Sequence, residues 1–541
     1  MIIRASGKAL AAALTAAMLI AITACTTASG GSNNSSAHSG SSKDNATLTV
    51  SVGGDPLEID PALIESGLGT QVDMLMAQTL TTYFYTGKLT GLLATSWKSN
   101  TSGSAWTFNL RHGVKFTDGT PFNAVAVQKN IERLLDPKLA VVTSNDVGRF
   151  TKSVTVDSPY QVTFNLTQPV RYFPEALSNE TAAITSPASW TAPGNTYTNA
   201  SHVVGTGPYK LVKWVKNNEV VFTRNDSYWG KEPYYKTQIY QAITDSNARE
   251  TSLRAGQIQV ATGLPAADVA SLKSDSSLKV AVSFGTRINY IALNTTSTVN
   301  PALQNPLVRE ALNYAVDKNA IVKNILFGAG QVSTSPVVNG AFGWCQTGPY
   351  PYDPAKAREL LKQAGESHMS LTLITPNGRF LQDSQTTEAV AGYLRAVGVK
   401  VNGPLVQDNA TNLDLVILPP SSGDSNPQAE AYLWSFGADF PDAAEGLGNL
   451  FLSTSIPPKP GLNFTHYANA QVDKLTLGAD AALSPTVAEQ KYCQAEKIVW
   501  NAAPDIFLYT AGLIVAWSSS VDGITTAPNS LVNTVYATPA G

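Results

Sequence analysis

Charge is scarce in this chain of 541 residues: Asp, Glu, Lys and Arg make up 14% of it, against roughly 25% in an average soluble protein. The net charge is −3, and no basic run follows the first few residues, which excludes a polyanion such as nucleic acid as the expected partner. Histidine is equally sparse. His38, His112, His202, His368 and His466 are scattered, and none stands at ligand spacing from a Cys or carboxylate, so no metal and no cofactor is expected. There is no Gly-x-Ser-x-Gly elbow, no His-Glu-x-x-His, no P-loop and no dinucleotide-binding glycine pattern. With those gone, an enzyme is not expected, and a secreted hydrolase using the paired acids Asp439 and Asp442 stays only as a remote alternative. Beyond the N-terminal segment no apolar run has the roughly 20 residues that a bilayer crossing needs.

What is present begins at the N-terminus. Arg4 and Lys8 precede an apolar run from Ala9 to Ile22, and small residues follow. That order reads as a secretory signal peptide over residues 1–24, the run being short for a retained transmembrane anchor. The junction Ile22-Thr23-Ala24-Cys25 resembles the lipobox of bacterial lipoproteins. The resemblance implies that Cys25 is lipidated and holds the chain at the extracytoplasmic face of the cell membrane, since a thiolate takes up a lipid readily and multiple acyl chains anchor stably. Residues 25–45 carry no large apolar side chain after Cys25. Such a segment cannot offset its ordering entropy and reads as a disordered tether.

Two cysteines remain, Cys345 and Cys493. An oxidising compartment permits a disulfide between them, while two separate buried thiols are the alternative.

The rest of the chain alternates strands and helices. Ala46 to Val52 and Ala105 to Arg111 alternate apolar and polar residues as half-buried strands do, and Ala124 to Leu135 reads as a helix. Gly205 to Lys210 is a turn entering a strand whose hairpin partner is Val220 to Arg224. Asn305 and Pro306 open a helix with an apolar stripe through Leu312 and Val316, and Asp317 and Asp353 open two more. Strand Leu371 to Ile374, a helix across Thr386 to Val397, a strand at Val399 and a strand from Leu413 to Leu418 follow. This order implies a mixed α/β protein of at least two lobes, an arrangement suited to ligand capture by closure.

Six stretches together resemble the extracellular solute-binding proteins of ABC transporters, specifically family 5, the peptide/nickel type. They are Gly53-Gly-Asp-Pro-Leu-Glu-Ile-Asp-Pro61; Leu92 to Trp97 with Trp106 to Pro121; Gly205-Thr-Gly-Pro-Tyr209 with Arg224-Asn-Asp-Ser-Tyr-Trp-Gly230; Arg309 to Lys318; Tyr352-Asp-Pro354; and Gly437-Ala-Asp-Phe-Pro-Asp442. The resemblance implies a periplasmic-binding-protein-like fold of type II, in the large three-lobed form with mixed sheets and a hinged inter-lobe cleft. Lobe one would comprise residues 46–85, 205–285 and 508–541, lobe two 86–204 and lobe three 286–507, with ligand held between lobes one and three. It further implies a monomer that delivers its solute to ABC permease subunits driven by cytoplasmic ATPases.

Most of these residues have structural roles. Trp97, Trp106 and Phe108 read as core, Gly205, Gly207 and Pro208 as required turn geometry, and Asn225 to Trp229 as a hairpin closure.

The loop at 434–442 differs, because Asp439 and Asp442 stand among Trp434, Phe436 and Phe440. A carboxylate among aromatics suits an ammonium group, through an ion pair and cation–π attraction. In peptide-binding members the Ala-Asp-aromatic step carries the Asp that binds the peptide α-amine, and Asp439 falls on that step. The family's usual Trp three residues earlier is Phe436 here, with Trp434 displaced by two. Asp439 as a turn cap beside Pro441 is the competing reading. The solute is thus expected to be a peptide, with a nickel complex, an oligosaccharide or another small molecule as alternatives.

Overall fold

Short polar side chains set where the helices begin. Asn123, Asn305, Asp317 and Asp353 each accept a backbone N–H of the turn they precede, at Ala126, Leu307, Ala320 and Ala355 respectively. Pro306 and Pro354 follow two of these caps at the first helical position, where the missing N–H costs nothing. The helix expected from Thr386 instead spans Asp383–Ala396. The Asp383 carboxylate gathers the N–H groups of Gly378, Arg379, Phe380 and Ser384 and so fixes the earlier start.

The computed structural model describes residues 43, 45–56, 58–63, 67–137, 146–190, 203–407, 430–457, 459 and 461–541. The signal peptide, Cys25, nearly all of the tether and the strand expected at Leu413 to Leu418 lie outside them. Among the described residues no helix is long and apolar enough to cross a membrane.

Among the described residues one mixed sheet has eleven strands. Strand Thr47–Val52 lies parallel to Thr237–Ala242 on one side and to Val260–Thr262 on the other. Strands Glu219–Arg224 and Tyr209–Val215 continue outward as the expected antiparallel hairpin. On the far side the sheet proceeds through Asp505–Ser518, Leu278–Leu293, Ala431–Gly437, Ser370–Pro376 and Lys400–Gln407. Leu278–Leu293 and Asp505–Ser518 pair antiparallel over nearly their whole length, but the ladder breaks between Phe284 and Ile288. There Gly285, Thr286 and Arg287 stand opposite the single residue Ala511.

A separate antiparallel sheet takes Ala94–Ser99, Ala105–Leu110, Gln161–Leu166 and Thr151–Ser158 in that order. Phe108 is fully buried on it, and Trp97, half-buried, stacks on Phe108 at 6.1 Å. Trp106 is half-buried too, its Nε1 donating to the Val170 carbonyl. Buried side chains of this sheet share one apolar core with Trp434, Phe440, Tyr492 and Trp500. Full burial of each large apolar side chain there contributes about 1.5–3 kcal/mol.

Gly205 and Gly207 serve close approach rather than unusual dihedrals. A Cβ at Gly205 would lie 2.2 Å from the Met76 carbonyl oxygen, and one at Gly207 2.4 Å from that of Leu75. Cys345 and Cys493 are joined as a disulfide, with Cα atoms 5.3 Å apart across a sequence separation of 148. Beneath it the Glu496 carboxylate accepts the Cys345 N–H at 3.1 Å.

Candidate functional site

Strand Ala431–Gly437 is buried along almost its whole length because it lies inside the large sheet, between Leu278–Leu293 and Ser370–Pro376. It delivers the loop Ala438–Asp442 to the start of helix Ala443–Leu450. The two acids of that loop have different work.

Asp442 is structural. Its carboxylate caps the helix by accepting the Ala444 N–H at 2.9 Å and forms an ion pair with Arg171 at 2.7 Å. Arg171 also meets Tyr492, whose hydroxyl donates to Asp480 at 2.6 Å, and the face of Phe342 at 4.2 Å. The turn-capping role weighed for Asp439 therefore belongs to its neighbour three residues on.

Asp439 is half-buried. The Asn179 Nδ2 donates to its carboxylate. The Asn179 Oδ1 accepts the Thr181 N–H at 2.8 Å as the cap of a short 3-10 turn, so the amide nitrogen faces Asp439. Burial, with Glu180 and Asp146 nearby, pushes the Asp439 carboxyl up to about 8, against the opposing pull of Asn179 and Arg287. Glu445 lies behind it, reached by the Asp439 N–H at 3.5 Å, and burial raises its carboxyl as well. A carboxyl held among other acids gains most from a cation brought to it.

The three aromatic candidates are not brought to solvent. Phe440 is 1% exposed and packs on Tyr172 at 5.7 Å between ring centres. With no face left for a solute, it holds the loop in place, and a direct contact by Phe440 is replaced by that support. Trp434 and Phe436 are 5% and 7% exposed. Phe464 packs edge-on to Trp434 at 5.3 Å, and the Arg379 guanidinium lies over the Trp434 ring at 4.7 Å. Both residues act from within the wall, because their side chains belong to the apolar core packed on that face of the sheet.

Residues that the sequence reading did not single out complete the site. Arg287 stands opposite Gly437 in the strand ladder and reaches Ser435 Oγ at 3.4 Å through Nη1. Its side chain is exposed although Thr286 and Ile288 on either side are buried. Arg379, also exposed, follows strand Ser370–Pro376. A charged residue before an apolar run, as in Arg287-Ile288 leading to Tyr290-Ile291-Ala292-Leu293, was the available signal for Arg287. Asn179 left none.

A cavity of about 320 Å³ opens beside this group, lined in part by Phe284, Thr286, Ala341, Pro441 and Pro528. It is within the size range of small-ligand sites. Thr286 and Pro441 tie it to Arg287 and Asp439 along the chain, while Asp439 itself does not line it.

Comparison with known proteins gives a consistent picture. Residues 88–457 match the family described as bacterial extracellular solute-binding proteins, family 5 Middle. A glutathione-binding protein, GsiB of Pectobacterium atrosepticum, is 30% identical over 465 residues, covering 84% of this chain and 88% of that protein. Among solved structures, the periplasmic binding protein DppA of Helicobacter pylori in complex with the peptide STSA superposes with a TM-score of 0.77 at 25% identity, over 91% of this chain and 97% of the other. NikZ of Campylobacter jejuni in complex with Ni(L-His) gives 0.76 at 24% identity, over 90% and 97%.

Proposed function

This chain belongs to family 5 of the bacterial extracellular solute-binding proteins, and from that premise we propose that it captures peptides and hands them to an ABC permease. The fold is that of the type II periplasmic binding proteins, and the family consists of transport proteins rather than enzymes. Capture would take place between lobe one (46–85, 205–285 and 508–541) and lobe three (286–507). Ligand contacts to both lobes would shift the population toward a closed form by the difference in affinity for the two states. Cys25 with its tether would keep the trap near the permease.

One observation carries the choice of a peptide. Asp439 is a half-buried carboxyl held by a side-chain amide, with no capping duty and with its charge disfavoured by burial and neighbouring acids. A peptide α-ammonium supplies what it lacks: a positive charge that stabilises the ionised form and an N–H donor set. Glutathione, named for the relative from Pectobacterium atrosepticum, is a tripeptide with a free amine and is the first ligand to try.

The test is calorimetric affinity for a free tripeptide, its N-acetylated form and glutathione, with wild-type protein and Asp439→Asn. Loss of most binding on acetylation, and on the substitution, supports the reading. Equal affinity for free and acetylated peptide rejects it. The Ni(L-His) complex named for NikZ supplies the second ligand class, and tight binding of that complex by a protein that ignores peptides would favour it instead.

A further inference from the structure

The buried arginines of the described residues are matched, whereas the exposed Arg287 is not. Arg133 pairs with Asp60, Arg171 with Asp442 and Arg224 with Asp226. Arg249 and Arg309 spend their donors on backbone carbonyls. Arg287 reaches the Ser435 hydroxyl at 3.4 Å and, among the described residues, has no carboxylate within 4.0 Å. Its place is nonetheless built. A Cβ on Gly437 would lie 2.6 Å from Arg287 Nη2, so the guanidinium lies close over the Gly437 backbone. A polar tip laid over a strand and open to solvent is poised for an external partner.

The surroundings specify that partner. Asp439 lies two residues beyond Gly437 and is close enough to favour the charge on Arg287. Arg379 is held below its usual value first by the protein around it and then by Arg287. The Arg287 guanidinium thus stands beside the carboxyl proposed to hold the ligand's amine, with donors left over for an ionised acceptor. An uncharged ligand would leave those donors without a charged partner.

We propose that Arg287 is a specificity residue that binds a carboxylate on the ligand's first residue, beside the amine held by Asp439. This rests on the peptide reading above and narrows it to peptides acidic at position one, either through an Asp or Glu side chain or through the free α-carboxylate of a γ-linked glutamate. Arg287 is the residue assigned because it is next to Asp439, and with it to the ligand's amino end.

The experiment is calorimetry with four probes, Glu-Ala-Gly, γ-Glu-Ala-Gly, Gln-Ala-Gly and N-acetyl-Gln-Ala-Gly, on wild-type protein, Arg287→Lys and Arg287→Met. Wild-type should prefer at least one of the two acidic peptides over Gln-Ala-Gly by about tenfold or more, the scale of a charge-assisted hydrogen bond. That ratio should fall to about one in Arg287→Met and survive in part in Arg287→Lys. Raising the salt concentration should shrink it in wild-type. If Gln-Ala-Gly binds wild-type as well as both acidic probes do, or if the preference persists in Arg287→Met, the proposal is overturned while the peptide reading stands. If no probe binds, both fall.

Discussion

Asn179 donates its side-chain N–H to the Asp439 carboxylate across 260 positions of sequence. The hydrogen bond stabilises the ionised carboxylate against burial and neighbouring acids. Asn179→Ala should therefore raise the Asp439 pKa further and weaken binding of an amine-bearing peptide at neutral pH by about tenfold, as loss of a hydrogen bond to a charged group does. Affinity measured against pH for wild-type and variant checks this. An unchanged pH profile would separate Asn179 from the site.

The Asp439 carboxyl, raised to about 8, makes both binding and stability depend on pH. A ligand ammonium favours the ionised form, so affinity for free peptide should climb from pH 5 toward pH 8, with release of a proton near neutrality. Titrations in buffers of different ionisation enthalpy would count that proton. For folding the sign is opposite. The folded chain keeps a proton that the unfolded chain gives up above about pH 4, so this contribution is complete below that point and is lost as pH rises toward about 8. Asp439→Asn should match wild-type in melting temperature near pH 4 and exceed it near pH 8.

Removing one partner of the Arg171–Asp442 pair should be costly. Both side chains are nearly covered, at 10% and 3% exposure, and a buried charge left alone costs about 3–5 kcal/mol. Arg171→Met should lower stability by that order in urea unfolding, while the double change with Asp442→Asn should cost less than the sum of the two. Strict additivity would show that the pair does not act as a unit.

The Cys345–Cys493 link closes a stretch of 148 residues, for which chain entropy gives a stabilisation of about 5 kcal/mol. Reduction should lower the melting temperature, and the double change to Ser should reproduce the reduced value. A melt indifferent to reductant would contradict this.

The elements that the sequence made legible are those governed by local rules. The caps at Asn305, Asp317 and Asp353, the hairpin from Tyr209 to Arg224 and the alternation around Phe108 are each decided within a few residues. Asp439 stood out in the sequence as an acid among aromatics on the family's Ala-Asp-aromatic step. Its working partners were not, since Asn179 and Arg287 reach it only through tertiary folding. The aromatic candidates misled for a related reason: Trp434, Phe436 and Phe440 look like a ligand-facing box until the fold packs them into the apolar core. Asp383 moved a helix start by collecting four N–H groups, a geometry that spacing alone does not reveal.

The break in the long ladder at Gly285–Arg287 has a mechanical consequence. Two strands paired throughout form a stiff ribbon, and three residues set against one put a joint in it. Any swing of one end of the ribbon against the other would be eased there and at the second shift, between Asn289 and Tyr290. The cavity and Arg287 sit beside this joint, so a guest there would press on the place where the ribbon is weakest rather than on its stiff arms.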